Sequence, residues 1–161
     1  MRLRSCLPAL VIALATLGPS RRLARADPRS SVEISVIHAT WTDGGGSIDP
    51  RLRDVSELTR GQPFVRYNVY KLLDRTLFPL DVGKPLTDLL VNGRTLQVTL
   101  VDVSDDKSGK RYHVRAEIDD PGRRAFLKLL EVTTGASEPF FVGGQSFHGG
   151  TLFLEFVVRP G

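Results

Sequence analysis

Apolar and polar residues alternate with a period of two along much of the chain. Residues 32–39, 111–118 and 151–159 show this pattern most clearly. Successive side chains of a β-strand point to opposite faces of the sheet, so the alternation predicts strands that bury one face. The last segment has one mixed face and one wholly apolar face, formed by Leu152, Leu154, Phe156 and Val158. We therefore expect residues 138–159 to form a closing hairpin whose second strand lies at the centre of a sheet.

Turn-forming residues separate further segments of this kind. Asn92-Gly93 lies between residues 86–91 and 94–101, and this pair favours a hairpin with a two-residue type I′ turn. Residues 64–73, 75–80 and 125–133 are predicted as additional strands. Pro79 places the second of these at a sheet edge, because proline cannot donate a hydrogen bond to a neighbouring strand.

One segment breaks the period of two. Asp49 and Pro50 form a helix start, with the aspartate as N-cap and the proline at the first helical position. The apolar residues that follow lie on one helical stripe: Leu52, Val55 and Leu58. The pattern predicts one short helix over about residues 50–60. The whole fold is predicted to be mainly β, an antiparallel β-sandwich or partly open barrel of about eight strands with this one helix.

The N-terminus has the three parts of a secretory signal peptide. A basic start at residues 1–4 precedes an apolar run from Cys6 to Leu17, and Ala24-Arg25-Ala26 forms a small-residue cleavage site. The apolar run is too short to cross a bilayer as a helix. The sequence therefore predicts a cleaved signal peptide at residues 1–26 and a single β-rich domain at residues 27–161. We expect this domain to be periplasmic or secreted, with no transmembrane segment in the mature chain.

Removal of the signal peptide changes the charge of the chain. The full sequence has 22 Lys and Arg against 18 Asp and Glu, but five of the basic residues and none of the acidic residues lie within residues 1–26. The mature domain then carries 17 basic and 18 acidic residues, which argues against a nucleic-acid partner. Cys6, the single cysteine, is removed as well, and this excludes thiol catalysis and thiolate metal sites from the mature domain.

The sequence has no recognisable motif for catalysis. The three histidines are His38, His113 and His148, and no two of them have the close spacing of zinc ligands. Ser146 lies two residues before His148, but no acid nearby would orient the imidazole. We therefore predict a protein that is not an enzyme and that holds no metal or cofactor. A metal-dependent enzyme is the alternative if the three histidines converge in the fold.

Aromatic residues provide the strongest indication of a binding site. Trp41 is the single tryptophan, and it lies in a loop rich in Thr, Asp and Gly. An indole in such a loop either caps the core or stacks on a sugar or peptide. The predicted binding residues are Trp41, Asp43, Tyr67 and Tyr70, with Phe147 as a further platform residue.

Three motifs carry a resemblance to known proteins. They are Lys71-Leu72-Leu73-Asp74-Arg75, then Val91-Asn92-Gly93-Arg94-Thr95-Leu96, and finally Phe140-Phe141-Val142-Gly143-Gly144-Gln145-Ser146-Phe147-x-Gly149-Gly150-Thr151-Leu152. Together they resemble a group of small, uncharacterised exported bacterial β-rich proteins with a signal peptide, an Asn-Gly-Arg hairpin and a terminal Val-Gly-Gly hairpin. The resemblance covers about residues 32–158. It implies an exported β-rich domain, and it implies no activity and no site residues.

Three functional hypotheses follow from these observations. The first is a non-enzymatic exported β-sandwich domain that binds another protein of the cell envelope through its sheet edges and loops. The second is a glycan- or small-ligand-binding module centred on the Trp41 loop. The third is the metal-dependent enzyme, which requires the histidines to meet. We favour the first because the sequence contains no catalytic motif.

Overall fold

Nine strands and one short 3₁₀ turn make up the described part of the protein. The computed structural model describes residues 30–52, 64–120, 122 and 125–161. The strands are β1 (Ser30–Thr40), β2 (Ser47–Ile48), β3 (Val69–Leu80), β4 (Pro85–Leu89), β5 (Thr95–Asp106), β6 (Gly109–Asp119), β7 (Phe126–Gly135), β8 (Pro139–Phe147) and β9 (Gly150–Arg159). The 3₁₀ turn spans Phe64–Arg66. Within these residues, no helix has the length and apolar character needed to cross a membrane.

Two predicted elements fall wholly or largely outside the described residues. The signal peptide predicted for residues 1–26 is one of them. The helix predicted over about residues 50–60 is the other, since only residues 50–52 of it are described. These three residues belong to a turn in which the backbone N–H of Leu52 donates to the carbonyl of Asp49 at 2.9 Å.

The strands form two sheets. Sheet A has the order β2-β3-β1-β9-β8, and sheet B has the order β4-β5-β6-β7. The paired strands are antiparallel, except that β2 is parallel to β3. Strands β1 to β3 belong to sheet A, β4 to β7 form sheet B as a meander, and the β8–β9 hairpin belongs to sheet A again. The predicted mainly β, antiparallel sandwich is confirmed, and β9 lies inside sheet A between β1 and β8.

The main hydrophobic core lies between the two sheets. Alternate residues of four strands point into it, and each of them is at most 2% exposed. They are Val32, Ile34 and Val36 of β1, Leu96, Val98 and Leu100 of β5, Tyr112, Val114, Ala116 and Ile118 of β6, and Leu152, Leu154, Phe156 and Val158 of β9. The inward faces predicted from the alternation in β1, β5, β6 and β9 are therefore confirmed. Removal of this apolar surface from water is the main force that holds the sheets together.

A second, smaller core covers part of the outer face of sheet A. Its buried members are Ile37, Ala39, Leu52, Tyr70, Leu72 and Phe153. The rings of Phe64 and Tyr67 pack over Phe153, with centroid distances of 4.6 and 5.7 Å. At Phe153, β9 is thus buried on both faces, which explains why its second face is mixed in the sequence rather than polar.

One strand, β3, replaces two predicted strands. The sequence predicts strands over residues 64–73 and 75–80, but the chain forms the 3₁₀ turn and then a single strand of 12 residues. Pro79 lies near the end of β3, where β1 is the one described neighbouring strand, because β2 pairs only with the first two residues of β3. Within the described residues, the edge position predicted from Pro79 is confirmed.

A β-bulge explains the irregular pattern in β3. The pairing with β1 shifts so that Leu73 is an extra residue. Before the bulge, Tyr70 and Leu72 point to the second core. After it, Phe78 and Leu80 point to the main core. The alternation therefore changes phase in the middle of the strand, and the sequence resembles two short strands.

The type I′ turn lies in a different hairpin from the predicted one. At the β4–β5 hairpin, Gly93 has a φ of 78°, but Asn92 does not have a positive φ. The N–H of Gly93 donates to the carbonyl of Leu90 at 2.8 Å, which describes a type I turn that ends in a left-handed glycine. In the β8–β9 hairpin, His148 and Gly149 have φ values of 41° and 74°, as a type I′ turn requires. The β4–β5 hairpin is confirmed, and its predicted turn type is wrong.

Candidate functional site

One end of the sandwich carries four of the connections between strands. Residues 41–46 and 148–149 follow the last pairs of sheet A, whereas residues 90–94 and the β6–β7 connection follow the last pairs of sheet B. The Asn92 side chain donates a hydrogen bond to Oε1 of Gln145 in β8 at 2.7 Å. This bond joins the two sheets at that end. We call this end, with its four connections, the loop end.

Several large apolar side chains are exposed at the loop end. Trp41 is 64% exposed, Leu89 is 71% exposed and Val91 is 45% exposed. Phe126 and Leu127, which begin β7 at the same end, are 40% and 47% exposed. An end of a domain that exposes several large apolar side chains is a candidate interaction surface.

Trp41 lies at the start of a loop that hydrogen bonds hold in place. The N–H of Thr42 donates to Oδ1 of Asn68 at 3.0 Å, and Nδ2 of Asn68 donates back to the carbonyl of Thr42 at 2.8 Å. A Cβ at Gly46 would lie 2.8 Å from the Asn68 carbonyl oxygen, so the loop needs glycine at this close approach. Asp43 is exposed in the same loop. A loop held in this way loses little conformational entropy when it binds.

The two predicted tyrosines are less exposed than Trp41. Tyr70 is 2% exposed, and its hydroxyl donates to the carbonyl of Phe64 at 2.6 Å. Burial raises the pKa of Tyr70, and the nearby Tyr67 adds to the effect. Tyr67 is half-buried, and its hydroxyl lies 2.7 Å from Oγ1 of Thr151. Both rings belong to the second core, so the ring of Tyr70 is not available to stack on a ligand.

The three histidines do not meet at one place. His38 and His148 lie at the loop end, and their ring centroids are 5.3 and 4.2 Å from that of Phe147. His113 lies on the outer face of sheet B. Among the described residues, no group of three or more His, Cys, Asp or Glu side chains is arranged to hold a metal ion. The convergence that the metal-enzyme alternative needs is therefore not found.

Glu131 is the centre of a charge network on the outer face of sheet B. Its carboxylate lies within 3.3 Å of His113 Nε2 and Arg115 Nη2, and Lys128 Nζ forms a further ion pair with it. Hydrogen bonds from Lys128 and then Arg115 lower the pKa of Glu131 to about 2. The same contact raises the pKa of Arg115. This face is thus charged and highly polar, in contrast to the outer face of sheet A.

A second group of charged side chains lies on sheet A outside the second core. Arg75 donates to Ser35 Oγ at 3.1 Å, and its guanidinium lies 3.9 Å from Glu33 and 4.0 Å from Glu155. Arg159 donates to Glu33 at 3.1 Å. The two arginines and the two glutamates line a shallow cleft of about 120 Å³. Two positive and two negative side chains balance each other here, as in an ordinary cross-strand ion network on a sheet surface.

Sequence reasoning missed Asn68 and Arg75. Asn68 fixes the Trp41 loop through a contact with Thr42, a residue 26 positions away. Arg75 reaches Ser35, a residue 40 positions away. A single polar residue carries no local pattern that indicates such distant partners, so the signal for both was lacking.

Comparison of the chain with protein-family models, curated proteins and solved structures found no match. The strand order and the exposed residues describe the protein as a two-sheet antiparallel β-sandwich with apolar side chains exposed at its loop end.

Proposed function

We propose that this protein is a non-enzymatic, exported β-sandwich domain that binds another protein of the cell envelope through its loop end. The proposal of export rests on the signal peptide predicted for residues 1–26. The partner class and the contact surface come from the residues exposed at the loop end.

The observation that carries this proposal is the exposure of Trp41, Leu89 and Val91 at one end of the sandwich. Tryptophan is among the residues that contribute most to protein–protein binding, because it buries a large rigid surface at low entropy cost. Loops positioned by a rigid sheet scaffold are common sites of recognition. The hydrogen bonds of Asn68 hold the Trp41 loop against that scaffold.

Site-specific photocrosslinking in the native envelope tests this proposal. A photoreactive residue is placed at position 41, 89 or 91 in turn, and the same residue at position 77 is the matched control. Leu77 is 57% exposed and apolar, but it lies in β3 away from the loop end. We expect the three loop-end positions to give the same protein adduct and position 77 to give none.

A second set of variants separates specific binding from surface stickiness. Trp41→Ala should remove the adduct formed from position 89, because the indole anchors the partner, while the circular dichroism spectrum stays unchanged. An adduct from position 77 equal to those from the loop end, or an adduct from position 89 that survives Trp41→Ala, would contradict the proposal.

Glycan binding at Trp41 is a second candidate. It is favoured by the exposed indole, which can stack on a sugar ring, and by the exposed Asp43 in the same loop, which can accept hydrogen bonds from hydroxyl groups. Because the chain has one tryptophan, its fluorescence reports this loop without interference.

Titration with soluble cell-wall polysaccharides tests the second candidate. A saturable change in the Trp41 emission is expected, together with co-sedimentation on insoluble cell wall that Trp41→Phe retains in part and Trp41→Ala loses. Unchanged emission across a panel of glycans would exclude a glycan site at this loop.

A further inference from the structure

β7 forms an open edge of sheet B. It pairs with β6 on one side, and within the described ranges no strand pairs with its other side. Such an edge presents unpaired backbone N–H and C=O groups to a second strand. Phe126 and Leu127 are 40% and 47% exposed, so the start of this edge is also apolar and accessible.

An extra residue in β7 changes the face to which its side chains point. The pairing with β6 shifts so that Leu129 has no partner of its own. Before this bulge, Lys128 lies opposite Glu117; after it, Glu131 lies opposite Arg115. Glu117 and Arg115 share the outer face of sheet B, so Lys128 and Glu131 also share it, although they are three positions apart.

This change of phase makes β7 complementary to a second copy of itself. In an antiparallel pair of two β7 strands, the register that sets Leu129 opposite Leu130 of the second copy also sets Lys128 opposite Glu131 of the second copy. The flanking pairs in this register are Leu127 with Val132 and Phe126 with Thr133. Each flanking pair combines side chains that share a face in the pairing with β6. The extra residue of each strand lies opposite Leu130 of the other strand, so neither strand has a residue left over.

We propose that two copies of this protein pair along β7 in this register and join their four-stranded B sheets into one continuous sheet. The contact is isologous, because the same residues meet on both sides of a two-fold axis. A second copy is the occupant that the charges select, since Lys128 and Glu131 then form two identical cross-strand ion pairs. The pairing also covers the exposed side chains of Phe126 and Leu127.

Self-association of this kind does not depend on the function proposed above. It uses the edge of β7, including Phe126 and Leu127 at the loop end, whereas the partner contact is carried by Trp41, Leu89 and Val91. Loss of one contact therefore leaves the other measurable.

Sedimentation of the purified protein tests the dimer through a charge exchange. Lys128→Glu places two acids opposite each other, and Glu131→Lys places two lysines opposite each other, so each variant should raise the dimer dissociation constant about tenfold or more. An equimolar mixture of the two variants should form a heterodimer of nearly wild-type affinity. In that heterodimer, the new acid at position 128 of one chain faces the new lysine at position 131 of the other, and the remaining Lys128 faces the remaining Glu131. Rescue in the mixture cannot come from ion pairs within one chain.

A third variant keeps the test valid if Glu131→Lys fails to fold. Leu127→Lys should dissociate the dimer, and Leu77→Lys, at an exposed apolar position in sheet A, should leave it intact. Circular dichroism checks that each variant is folded. A wild-type protein that stays monomeric, a dimer insensitive to Lys128→Glu, or a dimer equally sensitive to changes at positions 127 and 77 would overturn the proposal.

Discussion

Replacing Gly143 with alanine should disturb the second core by steric overlap alone. Gly143 lies in β8 opposite Phe153 of β9. A Cβ at this position would lie 2.1 and 2.3 Å from Cε1 and Cδ1 of the Phe153 ring, whereas ordinary contact begins at 3.4 Å. The ring or the strand must therefore move by about 1 Å or more, because well-packed interiors have no spare volume to absorb the overlap.

The ring of Phe153 has little room for that movement. It is 1% exposed and is covered by Phe64 and Tyr67, whose ring centroids lie 4.6 and 5.7 Å away. Overpacking of a core costs about 1–3 kcal/mol. Because neighbours confine this ring, we expect Gly143→Ala to lower the free energy of unfolding by about 2–3 kcal/mol.

Urea unfolding followed by far-ultraviolet circular dichroism measures this loss. Phe153→Leu alone should also destabilise, because it removes buried ring contacts, but it makes room for the added methyl group. The costs of the two changes should therefore be non-additive in the double variant, by about 1 kcal/mol or more. Gly44→Ala is the matched control, since its nearest atom beyond the neighbouring residues is 3.7 Å away and its change should stay within about 0.5 kcal/mol.

Two results would refute this reasoning. One is a Gly143→Ala variant as stable as the wild type, which would mean that the second core is loosely packed. The other is strict additivity in the double variant, which would mean that Gly143 and Phe153 do not compete for the same space.

Three further changes test other parts of the structure. Tyr70→Phe removes the hydroxyl that donates to the Phe64 carbonyl and leaves the N–H of Tyr67 as the remaining donor to that carbonyl, so urea unfolding should show a loss of about 1 kcal/mol. His148→Gly relieves the left-handed backbone at φ 41° and should raise the free energy of unfolding by about 1 kcal/mol, whereas His148→Ala should not raise it. The pKa of Glu131 is lowered from 4.5 to about 2, so its ionised form favours the folded state; this contribution is present above pH 4.5 and is lost as the pH falls toward 2. Glu131→Gln should therefore flatten the decline of stability with falling pH in that range, as thermal unfolding at low protein concentration would show.

Each of these three expectations can fail in a distinct way. Full stability of Tyr70→Phe would mean that the N–H of Tyr67 alone satisfies the Phe64 carbonyl. Equal effects of glycine and alanine at position 148 would show that the turn stores no strain at this residue. A Glu131→Gln variant with an unchanged acid limb would show that Lys128 and Arg115 do not stabilise the carboxylate in solution.

Local periodicity was a good guide wherever a strand is regular and has one face in the main core. In β6, for example, the alternation predicts that Tyr112 and Val114 point inward, and both are buried. The same reasoning failed at β3, because the bulge at Leu73 exchanges the faces within one strand. Residue preference alone assigned the type I′ turn to Asn92-Gly93. In the structure, the pairing of Phe147 with Gly150 leaves the two-residue turn at His148-Gly149.

In the candidate site, too, local sequence predicted some features and the packing of the sheets decided others. The loop context made Trp41 and Asp43 candidate binding residues, and both side chains are exposed. The placement of Trp41, Leu89 and Val91 at one end of the sandwich was not predicted, because it depends on how the ends of two sheets meet. Their meeting is marked by the hydrogen bond between Asn92 and Gln145, which are 53 positions apart.

The sequence by itself determined that this chain forms a mainly β, antiparallel structure and which faces of its regular strands are buried. It could do so because burial of one face leaves a period of two in the strand itself. Only the tertiary structure decided which aromatic side chains reach the solvent. Trp41 is 64% exposed and Tyr70 is 2% exposed, although both were candidate binding residues. Exposure depends on what packs over a side chain, and at Tyr70 the second core, with Phe64 and Tyr67 packed against it, decided the outcome.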